Sequence, residues 1–396
     1  MLSDPALLRP VFAALRRISP ILTLGKRVVV SRHADIVEVL DRDEDFTIAE
    51  VNAERMARWS GPFILGMDRG EVFDRESAAL RRAVPRTDLP RIRTFVAENA
   101  TQLLDAAQRQ GRVDVANGYA RVVAARLVAE YFGVPGPDLG TTMRWMRAIF
   151  DVVFIDEGPR ARQAATITVA EQKPYMDALI ASRRADVEAD RPVPDDVLTR
   201  LVAMRPSEPW LDDDAVRRNI NGIIVGAVDT TSKAVTHVVH ELLRHPKAME
   251  GARQAAVAGD IDAVHGYAWD ALRFRPHGPV LERYCGKDTT LGPGGTRIRA
   301  GSTVLVAVLS GMFDGDAFPR PGELRSGRPL DRYLHFGYGM HTCFGLAING
   351  VQIPELVAAL LRLPNLRRAS GAEGRLVYDG PFPDRLVVAF GPEAGP

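Results

Sequence analysis

The sequence predicts a mainly α protein with small antiparallel β-sheets. Three observations predict it. Apolar residues recur at helical spacing through 74–133 and 138–189, and again, most regularly, through 213–245. Strand-like alternation is confined to 27–30 and 280–309. Internal repeats and low-complexity linkers are lacking, so residues 1–396 are expected to be a single domain, with a β-containing lobe over 20–70 and 277–310 and a helical lobe over the rest.

In chain order, Arg27 to Val30 reads as a strand, followed by a helix opening near Ser31 with Val37 and Leu40 on one face. Residues 45–75 are Gly-punctuated and read as an irregular loop, with Phe63, Ile64, Leu65 and Met67 as an apolar cluster that is either packed or a lid. The helical pattern that follows breaks at Pro85 to Pro90 and at Gly111. Segment 213–245 repeats Val216, Ile220, Ile223, Ala227, Ala234, Val238 and Leu242 on one face. It opens on acids and closes on Arg244 and His245 before Pro246, which suits the helix dipole at both ends. At 1.5 Å per residue it predicts a spine on the order of 48 Å long. Gly226, Asp229, Thr230 and Thr231 in its middle have poor helix propensity, so that turn is expected to do more than pack. Residues 311–342 read as loop. Helix is expected again over 344–362, kinked or split at Pro354.

Composition narrows the function. With 46% hydrophobic and 26% charged residues, the 396-residue chain can bury a large core. A net charge of +1 gives no global field toward nucleic acid or anionic lipid, so neither is an expected partner. Five lysines against 46 arginines supply many guanidinium groups for carboxylates or phosphates. Cys285 and Cys343 are too few for a disulfide framework or a four-cysteine zinc site, and one disulfide is the most they could form. The N-terminal stretch, with Asp4 and apolar residues interrupted by Arg9, Pro10, Arg16 and Arg17, matches neither a signal peptide nor an anchor. With no run of about 18 apolar residues, the expected location is cytoplasmic.

One segment carries specific chemistry. His335-Phe-Gly-Tyr-Gly-Met-His-Thr-Cys343-Phe-Gly345 places a cysteine in a Gly-rich loop immediately before a helix, where N–H groups are expected to lower the thiol pKa and make the sulfur a nucleophile or metal ligand. Phe336, Gly339, His341, Cys343 and Gly345 fit the pattern Phe-x-x-Gly-x-His/Arg-x-Cys-x-Gly, and on this composition their register has a chance on the order of 10⁻⁵. In this the chain resembles the cytochrome P450 family. The resemblance implies a triangular helical prism around haem b (iron protoporphyrin IX). It makes Cys343 the thiolate metal ligand, with Phe336, Gly337 and Gly345 around it and His341 at a propionate.

Gly226-Ala-Val-Asp229-Thr230-Thr231 likewise resembles the family's distal helix segment, and the resemblance makes Asp229 and Thr230 catalytic proton-delivery residues. Read alone, the pair suits a locally hydrogen-bonded kink equally well. Arg81, with Ser77 in place of the usual His or Trp partner, and Arg283 resemble the propionate arginines. In a chain with 46 arginines, each read alone suits a surface ion pair as well. Asp270 and Arg273 stand for the family's Glu-x-x-Arg ion network, one methylene shorter. The usual third arginine is missing near Glu323, so Arg325 or Arg328 is expected to replace it. Cys285 is expected to be an inert half-buried thiol, and His237, His240 and His245 to take surface or capping roles.

The resemblance implies a monooxygenase that inserts one oxygen atom from dioxygen into a small apolar substrate. The chain has no flavin, nicotinamide or iron–sulfur fingerprint, so electrons are expected from a separate ferredoxin or flavodoxin with its reductase, docking on Arg325, Arg328 and Arg332. Alternatives are a peroxide-using or reductant-independent haem-thiolate enzyme, and a non-catalytic haem-binding protein. The substrate pocket is expected from Phe63, Leu65, Met67, Ile223, Gly226, Ala227, Val280, Leu281 and Phe382.

Overall fold

The computed structural model describes residues 5–155 and 158–392; Asp4 lies outside them. Helices dominate, and the largest sheet is mixed, ordered Ile21–Leu24, Arg27–Val30, Thr303–Val306, Leu281–Cys285, Phe46–Thr47. Arg27–Val30 runs parallel to Thr303–Val306, while the other pairs are antiparallel. Period-two alternation along Leu281–Cys285 buries Arg283 and Cys285 on one face and exposes Glu282 on the other. One apolar core extends from Val28 to Phe390, joining sheet and helices.

The strand Arg27–Val30 and the helix His33–Asp41 follow the sequence pattern. Residues 45–75 do not. Ala49–Trp59 is a helix and Ile64–Gly66 a single 3-10 turn. Met56 is the one buried residue of that helix, so there was no apolar stripe to read, and the glycines that suggested a loop lie beyond its end.

The expected spine is two helices, Asp213–Ile224 and Asp229–Leu242. Between them the Gly226 carbonyl accepts from the Thr230 hydroxyl, and the Ala227 carbonyl accepts from that of Thr231 at 2.8 Å. Side-chain hydroxyls take carbonyls that a continuous helix would give to backbone N–H groups, which opens the turn. The expected split at Pro354 is absent, since Leu346–Leu361 is one helix containing it. Twelve of its residues are buried, enough packing to outweigh the roughly 3 kcal/mol that an interior proline costs.

Candidate active site

The cysteine loop is built by close backbone approach. Gly339 has φ +68°, and a Cβ there would sit 2.5 Å from the Leu40 carbonyl oxygen, so a glycine is required. This lets the loop fold back on itself: the Cys343 N–H donates to the Phe336 carbonyl at 2.8 Å, and the Leu346 N–H donates to that of Cys343 at 3.0 Å. Phe336 stacks on Trp269, with centroids 5.3 Å apart. The loop does not by itself activate the thiol as expected. Desolvation pushes Cys343 above the ordinary thiol range, and the opposing Gly345 N–H does not overcome it. A metal cation bound to this sulfur would favour its ionised form.

Above the sulfur lies a cavity of about 510 Å³. Phe63 and Leu65 reach it from the 3-10 turn, Ile223, Gly226, Ala227 and Thr230 from the broken helix, and Val280, Leu281 and Arg283 from the start of the strand Leu281–Cys285. Phe336, Gly337, His341, Cys343 and Gly345 close the opposite side. Four expected residues are outside the lining, Asp229 among them. Met67 packs beyond the 3-10 turn. Phe382 stands behind the wall, against Phe150 and His277 at 5.4 and 5.8 Å. Arg81 is exposed, its Nε 3.4 Å from Ser77 Oγ, because its position on the helix Glu71–Ala83 turns it outward.

Arg283 and His341, basic groups in the cavity, are short of partners. Arg283 is 5% exposed and donates from Nη1 to the Glu282 carbonyl at 2.9 Å; burial pushes its guanidinium down to about 10. His341 has a buried Nδ1 with no partner, and burial lowers its ring to about 4. A buried base with no described carboxylate in ion-pair contact is costly, so both fit the carboxylate edge of a ligand whose centre binds the Cys343 sulfur. An iron porphyrin has that chemistry.

The comparisons agree. The family model for cytochrome P450 matches residues 139–368, more than half of the chain. This chain belongs to the cytochrome P450 family. It is 30% identical to the erythromycin C-12 hydroxylase of Saccharopolyspora erythraea over 349 residues, covering 84% of this chain and 82% of the relative. It is 29% identical to the cytochrome P450 monooxygenase PikC of Streptomyces venezuelae, covering 75% and 67%. The crystal structure of CalO2 superposes with a TM-score of 0.81 at 23% identity, covering 98% of this chain and 97% of that one. The protein is thus a haem-thiolate monooxygenase that binds haem b.

In this P450 the broken helix presents Asp229, 3% exposed, to two arginines that the sequence reading did not include: Arg121 at 3.0 Å and Arg147 at 3.2 Å, both to Oδ1. Burial nevertheless outweighs them and raises the carboxyl above its ordinary range. Asp229 Oδ2 is buried and unpartnered.

Below the haem site, Asp270 and Arg273 form a fully buried pair at 2.9 Å. Arg328 Nε lies 3.1 Å from Asp270, and Arg325 contributes its backbone N–H at 2.8 Å. Buried in this way, Arg328 cannot belong to a docking face, and the Arg325 Nε is buried too; Arg332 is the exposed member of that trio.

Cys285 is fully rather than half buried, donating to the Lys287 carbonyl. His237 and His240 are buried, not superficial, while His245 bonds the Glu241 carbonyl at the helix end as a cap would. Both cysteines are free, and among the described residues no helix is long and apolar enough to cross a membrane. Lys233 and His277, also in the cavity wall, carried no sequence signal beyond their residue types.

Proposed function

We propose that Cys343 ligates the haem iron, that Arg283 and His341 hold its propionates, and that Asp229 and Thr230 manage protons on the opposite face, all within one domain. The single observation that supports this is the convergence of sulfur, under-partnered bases and opened helix turn on one apolar cavity. When bound, the haem supplies dioxygen activation at a sulfur-ligated iron. The chain's own residues supply the surroundings. Asp229, raised by burial, can hold a proton at Oδ2 and pass it toward the Thr230 hydroxyl, which Gly226 orients. Phe63 packs across Gly222, where a Cβ would collide with the ring, and so walls the cavity against water.

The apolar walls favour an apolar molecule, in keeping with relatives named for erythromycin and for steroids. Electrons come from a separate ferredoxin or flavodoxin with its reductase, near Arg332, and the enzyme works in the cytoplasm.

The test is the reduced-carbonyl spectrum of purified holoprotein. A sulfur-ligated iron gives the red-shifted band in the wild type and not in Cys343→Ala, which also loses oxygenation. A band unchanged in Cys343→Ala overturns the assignment. Turnover with peroxide alone, as fast as with any reductase system, overturns the electron-donor reading.

A further inference from the structure

The cavity has a second polar end that the haem reading does not use. Lys233 lies three residues after Thr230, about 4.5 Å or one turn along the same helix, and also lines the cavity. It is only 6% exposed. Its Nζ donates to the His277 carbonyl at 3.0 Å and stands 5.4 Å from the centre of the Phe382 ring. No described carboxylate forms an ion pair with it. Asp229, one turn earlier, is engaged by Arg121 and Arg147. Arg275, the neighbouring cation, is answered by Glu241 at 2.5 Å.

Beside Lys233, His277 has a buried Nδ1 with no partner, its ring held edge-on by Phe150 at 5.6 Å. Burial keeps that imidazole neutral, so one ring nitrogen is a donor. An ammonium using one of its three donors in an apolar wall destabilises a fold, and an aliphatic side chain at 233 would cost less. The uncompensated pair is therefore complementary to something else that enters this space.

We propose that Lys233 and His277 form a carboxylate-binding end of the substrate cavity, so that the substrate is an apolar molecule carrying one acid group. The proposal rests on the monooxygenase reading of the same cavity. The acid is held by the Lys233 ammonium and a His277 N–H, and the apolar body runs between Phe63, Leu65, Ile223 and Val280 toward Cys343. Lys233 thereby sets which carbon lies at the reacting end. Among the described residues, Glu282 is the one acid in the lining, and it sits on the exposed side of its strand, so no described lining acid opposes an anion inside the cavity.

The experiment uses holoprotein and a panel of probe pairs: straight-chain acids from octanoate to palmitate and alkylbenzoates, each beside its methyl ester, with binding read by equilibrium dialysis. For at least one pair, the wild type is expected to bind the acid about tenfold or more tightly than the ester. Lys233→Met and Lys233→Gln are expected to bring the two to parity, and Lys233→Arg to keep part of the preference. The proposal is overturned if no pair shows an acid preference in the wild type, or if the preference survives in both uncharged variants. The reduced-carbonyl band of each protein separates failures: its loss in the wild type removes the monooxygenase reading, while dialysis still reports on the acid site.

Discussion

Two buried charged regions flank the haem cavity, and they are built on opposite principles. On the cysteine side, Arg273 is wholly buried yet donates to Asp270, to the Met312 and Pro321 carbonyls at 3.0 and 2.7 Å, and to the Glu323 carbonyl at 3.0 Å. Tyr333 donates its hydroxyl to Asp270 at 3.1 Å, and Phe313 and Phe274 stack against the guanidinium at 4.7 and 4.8 Å. On the opposite side, Asp229 keeps one oxygen unpartnered and Lys233 has one carbonyl for its ammonium. A buried charge whose partners are all intramolecular holds the fold together. One left short of partners lowers stability and is poised for protons or ligands.

The comparison is broken most directly from its satisfied side. Asp270→Ala strands Arg273 and Arg328, and is expected to cost roughly 3–5 kcal/mol in denaturant unfolding together with haem retention. A loss under about 1 kcal/mol would show that the carbonyls alone hold the arginines.

The stand-in for the missing arginine is tested next. Arg328→Ala should cost about 2–3 kcal/mol, whereas Arg325→Ala, which keeps the backbone N–H to Asp270, should cost under ~1 kcal/mol. Equal losses would erase the distinction between the two arginines.

On the under-satisfied side, Thr230→Ala should leave folding and haem content intact and lower product formed per electron consumed about tenfold. Unchanged coupling would remove the hydroxyl from proton handling.

The smallest effect should have the opposite sign. Lys233 titrates at about 8 in the fold against an ordinary value of 10.5, chiefly from burial, with Arg147 adding repulsion. The unfolded chain therefore binds more protons between those values, so this residue makes wild-type stability rise as pH rises from about 8 toward 10.5. Lys233→Met should be more stable at neutral pH by about 1–2 kcal/mol, after the lost bond to His277 is allowed for, and the gain should shrink across that window. The neighbouring groups coupled to Lys233 are Arg147, His237 and His277, and both imidazoles are kept neutral by burial. A Lys233→Met protein less stable than wild type at pH 7 would make the lysine structural.

By itself the sequence determined the cysteine loop, the Asp270–Arg273 pair and the helical character of the chain, because each depends on residues contiguous or one turn apart. Gly339, Cys343 and Gly345 lie within one short loop and are legible as a motif, although the Leu40 carbonyl that packs against Gly339 comes from a distant segment. Only the tertiary structure decided that the long helix opens at Gly226, that the helix through Pro354 stays whole, and that the guanidinium of Arg328 rather than that of Arg325 reaches Asp270. It also turned Arg81 outward, set Met67 and Phe382 behind the cavity wall, and brought Arg121 and Arg147 to Asp229. Whether a buried charge is answered or left open depends on groups that distant segments deliver, so the open lysine at position 233 looks, in the sequence, like any other lysine on a helix.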